Sequence, residues 1–237
     1  MSVRVGILQC DEVCEELRTE FGDYPKMISE ELKKVRPKWS TTTFHVFLGE
    51  FPNELNDCDA YITTGSRSSV YDDEQWIGEF EKLVRVIAEK RVPFVGVCFG
   101  HQMMAQALGG VVKPADSGWG VGVSTIRFSD RDIGSLPLPE ELSLIVSHQD
   151  QVTGVPPGLE ILGGNDFCPV SWCRYGETML GIQGHPEFSK AYSRALMDLR
   201  RELIGEKAYA AGIASLDQPV DAESAFECIA QFLEQAI

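Results

Sequence analysis

The sequence predicts an α/β fold: a doubly wound, mostly parallel sheet with flanking helices and a smaller antiparallel extension. Three observations predict it. Short β-rich runs alternate with helical stripes through the first half of the chain. One run, Pro93 to Val97, is apolar throughout, as a strand buried on both faces of a parallel sheet is. The second half then changes to short strands at turn-punctuated spacing, the pattern of an antiparallel or mixed extension.

The elements follow in order. Val3 to Leu8 reads as the first strand, Phe44 to Leu48 as the second and Ala60 to Thr64 as the third. Between the first two, Met27 to Val35 shows helical spacing of Met27, Leu32 and Val35. From Trp76 to Lys90, Ile77, Phe80, Leu83, Val84 and Ile87 form one helical stripe. The acidic residues at 72 to 74 just before it suit the helix dipole. The apolar strand runs into Cys98 and a helix from Gly100 to Leu108, which Gly109-Gly110 terminates. The strands of the second half are Val121 to Phe128, Leu142 to Val146, Leu159 to Leu162, Val170 to Arg174 and Met179 to Gln183. Helices at Lys190 to Ile204 and Ala222 to Gln235 close the chain. With no repeat, low-complexity tract or linker, residues 1–237 are expected to form a single domain.

Composition narrows the function classes. Lys and Arg number 21 against 36 Asp and Glu, a formal charge of −15. Nucleic-acid binding needs a cationic footprint, so no nucleic-acid partner is expected, and the acidity reads as a solvated surface. No apolar stretch reaches signal or membrane-spanning length, so no membrane partner is expected. The seven cysteines are an odd number without recurring CxxC pairs, which predicts free thiols, a cytoplasmic location and no metal site. No cofactor is expected.

The strongest local signal is Gly96-Val97-Cys98-Phe99-Gly100, a G-x-C-x-G at a strand-to-helix junction with the form of a nucleophile elbow. Glycine on both sides lets the chain turn sharply and hold Cys98 at the carboxyl end of the sheet. The helix N-terminus favours a thiolate there, and the Phe99 N–H points toward a developing oxyanion. A thiolate nucleophile needs a base held by a third group. Of four histidines, His45 reads as structural, and His101 lies on the elbow's own helix, directed away from the line of attack. His148 could reach the site, though Ser147-His148-Gln149-Asp150 is as easily a hydrogen-bonded loop. His185 stands out. Pro186 forces it into an extended conformation, where Glu187 two residues on faces the same side and can bond one imidazole nitrogen. Gly65, at the end of the third strand, is a second candidate oxyanion donor and equally an ordinary turn glycine. Trp119 is either a packed turn aromatic or a site-lining residue.

GVCFGHQ at 96 to 102 and GHPE at 184 to 187 resemble the two signatures of class I (triad) glutamine amidotransferases. SHQD at 147 to 150 stands where that family has its glutamine-binding turn, and ITTGS at 62 to 66 where it has its oxyanion loop. The resemblance runs from about Val3 to the helix after Glu187. It implies an enzyme that hydrolyses a γ-glutamyl amide through a cysteinyl thioester. Cys98 would be the nucleophile, His185 the proton shuttle and Glu187 its orienting group. Phe99 and Gly65 N–H groups would form the oxyanion hole. Gln102 would contact the γ-glutamyl group, and His148, Gln149 and Asp150 would hold its α-amino and α-carboxylate ends.

Two departures bear on the substrate. Thr64-Gly65-Ser66 replaces the family's Gly-Gly-Pro, and Gln149 replaces a glycine. Both bring the chain closer to stand-alone members, including γ-glutamyl peptidase-like proteins. The expected partner is therefore a small molecule, glutamine or another γ-glutamyl compound. The end of the sequence at Ile237 leads to the expectation that any acceptor or synthetase domain is a separate subunit. A γ-glutamyl peptidase acting on glutathione-like peptides is the alternative. A catalytically silent binding or regulatory protein of the same fold is the third reading, against which the intact triad argues.

Overall fold

A computed structural model describes residues 2–129, 132–133 and 136–237. The chain opens with β1 (Arg4–Leu8), α1 (Glu15–Phe21) and α2 (Tyr24–Val35). The Asp23 carboxylate accepts from the first N–H of α2, with proline in the first turn. The second strand, β2, is Ser40–Phe44, paired parallel to β1, rather than Phe44 to Leu48. Val46–Leu48 is instead a single 3₁₀ turn that buries Val46 and leaves Leu48 65% exposed. Three β-branched threonines make the strand. Lying at the sheet edge, β2 does not need the apolar character that pointed to the wrong segment.

Next come β3 (Ala60–Thr63), α3 (Gln75–Lys90), β4 (Phe94–Val97) and α4 (Phe99–Ala107). The stripe of α3 buries Ile77, Phe80, Val84 and Ile87 as its spacing predicts. The second half contains β5 (Val111–Pro114), β6 (Gly120–Phe128), β7 (Asp132–Ile133), β8 (Leu136–Pro137), β9 (Glu141–His148), β10 (Asp150–Gly154), β11 (Leu159–Gly164), β12 (Trp172–Tyr175) and β13 (Met179–Ile182). It ends in α5 (Lys190–Leu199), α6 (Arg201–Ile204), α7 (Glu206–Ser215) and α8 (Ala222–Ala236). The closing helix expected over Lys190 to Ile204 is thus divided: Arg200 leaves the helical region (φ −101°, ψ 13°) and redirects the chain between α5 and α6.

One nine-stranded sheet has the order β2-β1-β3-β4-β13-β12-β11-β6-β9. The strands from β2 through β13 are parallel, and those from β12 through β9 continue antiparallel. The antiparallel extension is therefore part of the main sheet, with β5–β10 and β7–β8 as separate small pairs. Side chains alternate across β4: Val95 and Val97 pack with α2 and α8, Phe94 with α3 and α4. Both faces are covered, which makes the sheet doubly wound. Strands β4 and β13 lie side by side with Val97 opposite Ile182, so the residues after each emerge at the same edge.

Candidate active site

Cys98 caps the N-terminus of α4 at φ 49°, ψ −99°, a conformation that costs a non-glycine residue about 1–3 kcal/mol. The turn persists because its surroundings admit nothing else. A Cβ on Gly96 would sit 2.5 Å from the Gly100 carbonyl carbon, and one on Gly100 would lie inside the Thr63 side chain. The Thr63 hydroxyl accepts from Val97 N–H at 2.9 Å, tying β3 to the strand below the turn. The Cys98 N–H donates to the Ile182 carbonyl at 2.8 Å, which fastens the elbow to β13.

Just beyond β13, the neighbour of β4, is a turn carrying His185 three residues after the strand and Glu187 five residues after it. The His185 N–H donates to the Ile145 carbonyl at 2.7 Å. Its Nδ1 is 2.8 Å from Glu187 Oε1, and both side chains are buried. The ring stacks on Phe188 with centroids 4.0 Å apart. The two halves meet at Gly65: a Cβ there would lie 2.8 Å from His185 Cε1 and 3.6 Å from Cys98 Cβ. Burial acts to lower the His185 pKa. The charges of Cys98 and then Glu187 outweigh it and raise it to about 10. The second oxygen of Glu187 has no hydrogen-bond partner among the described residues, so the imidazolium is the group its charge serves. A buried cysteine beside an imidazole that a carboxylate orients has the parts to attack a carbonyl and hand a proton to the departing group.

The remaining predicted residues surround this pair. The N–H groups of Gly65 and Phe99 have no acceptor among the described residues. Gln102 Nε2 donates to the Asp150 carbonyl at 2.8 Å and to Gln183 Oε1 at 3.1 Å. The Asp150 carboxylate accepts from Ser69 Oγ at 2.6 Å and Tyr71 Oη at 3.0 Å. His148 Nδ1 lies 3.1 Å from the Asp150 carbonyl, and burial lowers its pKa to about 4, so it contributes shape and no charge at neutral pH. Gln149 lines the cavity and its carbonyl anchors Ala115 N–H at 2.8 Å. His101 packs away from the site, fully buried with Nδ1 3.4 Å from Cys173 Sγ. His45 bonds Gln9 Oε1 at 2.8 Å, outside any strand. Trp119 lines the cavity.

Gln183 went unnoticed in the sequence. It is buried, and its Nε2 donates to Cys98 Sγ at 3.6 Å while its Oε1 receives Gln102. The signal was present: the alternation that puts Glu187 on the same side as His185 also puts Gln183 there. A cavity of about 590 Å³ opens from Cys98. Its walls are Ser66 to Ser69 on one side, Gln102 and residues 148–150 on a second, and α5 with α6 on a third. Among the described residues no cluster of His, Cys, Asp and Glu could hold a metal ion, and no helix is long and apolar enough to cross a membrane. All seven cysteines are free thiols.

A family model of the class-I glutamine amidotransferases matches residues 23–197. The chain belongs to the class-I glutamine amidotransferase family. Gamma-glutamyl peptidase 5 of Arabidopsis thaliana is 30% identical to this amidotransferase over 190 residues, 77% of this chain and 74% of that one. A glutamine-hydrolyzing GMP synthase of Ligilactobacillus salivarius is 32% identical over 71% of the amidotransferase, which spans only 29% of that protein. The crystal structure of a glutamine amidotransferase from Thermotoga maritima superposes with a TM-score of 0.75 at 19% identity, covering 99% of this chain and 97% of its own, a likeness of fold. As a member of this family the amidotransferase is a cysteine amidohydrolase acting on γ-glutamyl amides.

Proposed function

We propose that the amidotransferase hydrolyses γ-glutamyl peptides, with Cys98 as nucleophile, His185 as proton carrier and Glu187 as its orienting carboxylate, in one domain spanning residues 1–237. The Cys98 thiolate attacks the γ-carbonyl carbon, and the negative charge forming on oxygen is received by the Phe99 and Gly65 N–H groups. The C–N bond then breaks as His185 gives its proton to the departing nitrogen. Water, losing a proton to His185, cleaves the thioester and releases glutamate. Gln102, His148, Gln149 and Asp150 hold the glutamyl end. The Asp150 carboxylate, fixed by Ser69 and Tyr71, supplies the charge that an α-ammonium group needs.

The observation that carries the peptide reading is the size and shape of the cavity. Its volume of about 590 Å³ lies in the ~300–1,000 Å³ range of sites that enclose ligands of drug size, far beyond the needs of glutamine. It continues past Cys98 along α5 and α6, on the side where a leaving group would extend. The similarity to a γ-glutamyl peptidase over three quarters of both chains supports the same reading. The similarity to GMP synthase favours a second one, in which glutamine is hydrolysed for a separate synthetase subunit.

The test is kcat/KM of the isolated chain at neutral pH for glutamine and for γ-glutamyl-cysteinyl-glycine. We expect the peptide to be cleaved without any partner or nucleotide. A chain silent on every peptide yet active on glutamine once a second protein is added would establish the subunit reading instead.

A further inference from the structure

The cavity contains a cation that nothing among the described residues neutralises. Two arginines line it, Arg67 and Arg200. Arg67 is consumed by Asp11, to which Nε and Nη2 both donate at 2.9 Å. Arg200 makes no side-chain hydrogen bond and no ion pair among the described residues, in a chain whose net charge is −15. It is half-buried at the bend between α5 and α6, and its charge is felt by the phenols of Tyr24 and Tyr192. A guanidinium held partly out of water without a carboxylate is costly unless a ligand completes it.

Its position indicates which part of the ligand that is. Arg200 borders both the main cavity and the small cleft beside His185, where its neighbours are Tyr24, Gly65, Ser66 and Phe188. Gln102 and residues 149–150 border the main cavity and not that cleft. In the proposed reaction His185 must protonate the departing nitrogen, so the leaving amine lies on the His185 side. Arg200 is therefore on the leaving-group side, opposite the residues assigned to the glutamyl end. Leu196, Leu199 and Leu203, on the same two helices, add apolar surface around it, and Leu199 and Leu203 are more than half exposed.

We propose that Arg200 is a specificity-determining residue that binds the carboxylate of the leaving amine, selecting γ-glutamyl conjugates of amino acids or peptides with an apolar side chain next to that carboxylate. This rests on the γ-glutamyl peptide reading. Arg67 does not substitute, because its Nε and Nη2 hold Asp11, whose charge offsets its own. Glu12, Glu16 and Asp150 also line the main cavity, but none of them borders the cleft beside His185 that Arg200 borders, and Glu12 is paired with Arg18.

The experiment compares γ-glutamyl-leucine with γ-glutamyl-leucinamide, which differ only in the leaving carboxylate. A charge-assisted contact predicts that the wild-type enzyme favours the free acid by roughly 10- to 100-fold in kcat/KM. That preference shrinks as salt rises. Arg200→Gln brings the ratio close to one, and Arg200→Lys, which keeps the charge but loses the planar fork, retains part of it. The inference is overturned if the wild type does not discriminate, or if Arg200→Gln slows both substrates equally and leaves the ratio intact, since the arginine would then read the glutamyl end or serve only the fold. The wild-type ratio and its salt dependence decide the matter even if the variants do not fold. A wild type that cleaves glutamine and neither conjugate overturns the peptide reading together with this one, whereas cleavage of both conjugates without discrimination removes only the role of Arg200.

Discussion

The imidazole of His185 lies flat on the ring of Phe188, with planes 9° from parallel. Phe188 is itself held by Tyr192 edge-on at 4.7 Å and by Tyr24 stacked at 5.8 Å, so the base sits on an aromatic platform. A ring face attracts a cation, and His185, its pKa raised to about 10, carries a proton at neutral pH. Phe188→Leu keeps an apolar contact and loses that face. We expect kcat to fall roughly 2- to 30-fold, the equivalent of about 0.5–2 kcal/mol, with a smaller change in KM. Steady-state kinetics on a γ-glutamyl substrate measures it, and an unchanged kcat would make the stack a packing contact only.

The pH dependence follows from the same residue. The Cys98 and Glu187 charges raise His185 from its ordinary value of 6.5 to about 10, so the proton needed by the leaving nitrogen is retained through neutral pH. The kcat/KM profile should hold across neutral pH and fall as pH rises through about 10. The stability from this charge pair runs the same way: a raised cationic group contributes in full up to its unfolded value, and the contribution fades between 6.5 and 10.

Glu187→Gln removes one of the charges that sustain this state while leaving an oxygen able to bond Nδ1. We expect kcat to drop by roughly 10²- to 10⁴-fold, KM to change little, and the alkaline limb to move to lower pH. A profile whose limb stays in place would mean that Cys98 alone sets the protonation of His185.

Cys98→Ala should abolish turnover and leave the thermal transition near that of the parent, since it removes the sulfur and little volume. A γ-glutamyl electrophile should label Cys98 and spare the other six thiols, a result read by peptide mass spectrometry. An adduct on half-buried Cys14, which also lines the cavity, would contradict the assignment.

Gly96→Ala tests the elbow without touching a reacting group. Its Cβ would press on backbone of the first turn of α4, where no rotamer can give way. The expected cost is about 1–3 kcal/mol, a fall in Tm of several degrees for a chain of this length. Activity per folded molecule should fall as well, since relief of the clash moves Cys98.

Much of this was legible in the residues. The meeting of Cys98, His185 and Glu187 was, because each obeys a strict local geometry: glycines around a cysteine at a strand end, and a proline-locked His and Glu two residues apart. The buried strands were, because apolar runs mark them. The polar edge strand Ser40–Phe44 was not, because a strand paired on one side needs no apolar signature. Helix α7 also went unread, lacking a clear apolar stripe and burying only Gly212 completely. Gln102 was noticed for its motif, but its bond to Gln183 joins residues 81 positions apart and exists only once α4 and β13 meet. Arg200 was missed for a different reason. It was read as one more position in a continuous helix, and the bend that turns it toward the cavity comes from packing.

Cys98 and His185, the proposed nucleophile and base, follow the fourth and fifth strands of a nine-strand sheet, joined by the bond from Cys98 N–H to Ile182. Fraying begins at sheet edges, here β2 and β9: β1 and β3 separate β2 from the reacting pair, while β9 holds His185 directly through the Ile145 carbonyl. The walls of the cavity include Ser66 to Ser69 and the helices α5 and α6, which lie outside the sheet, so their local breathing can admit a bulky substrate without parting β4 from β13. Entry and chemistry draw on different mechanical reserves of the same molecule, and a looser rim need not mean a looser triad.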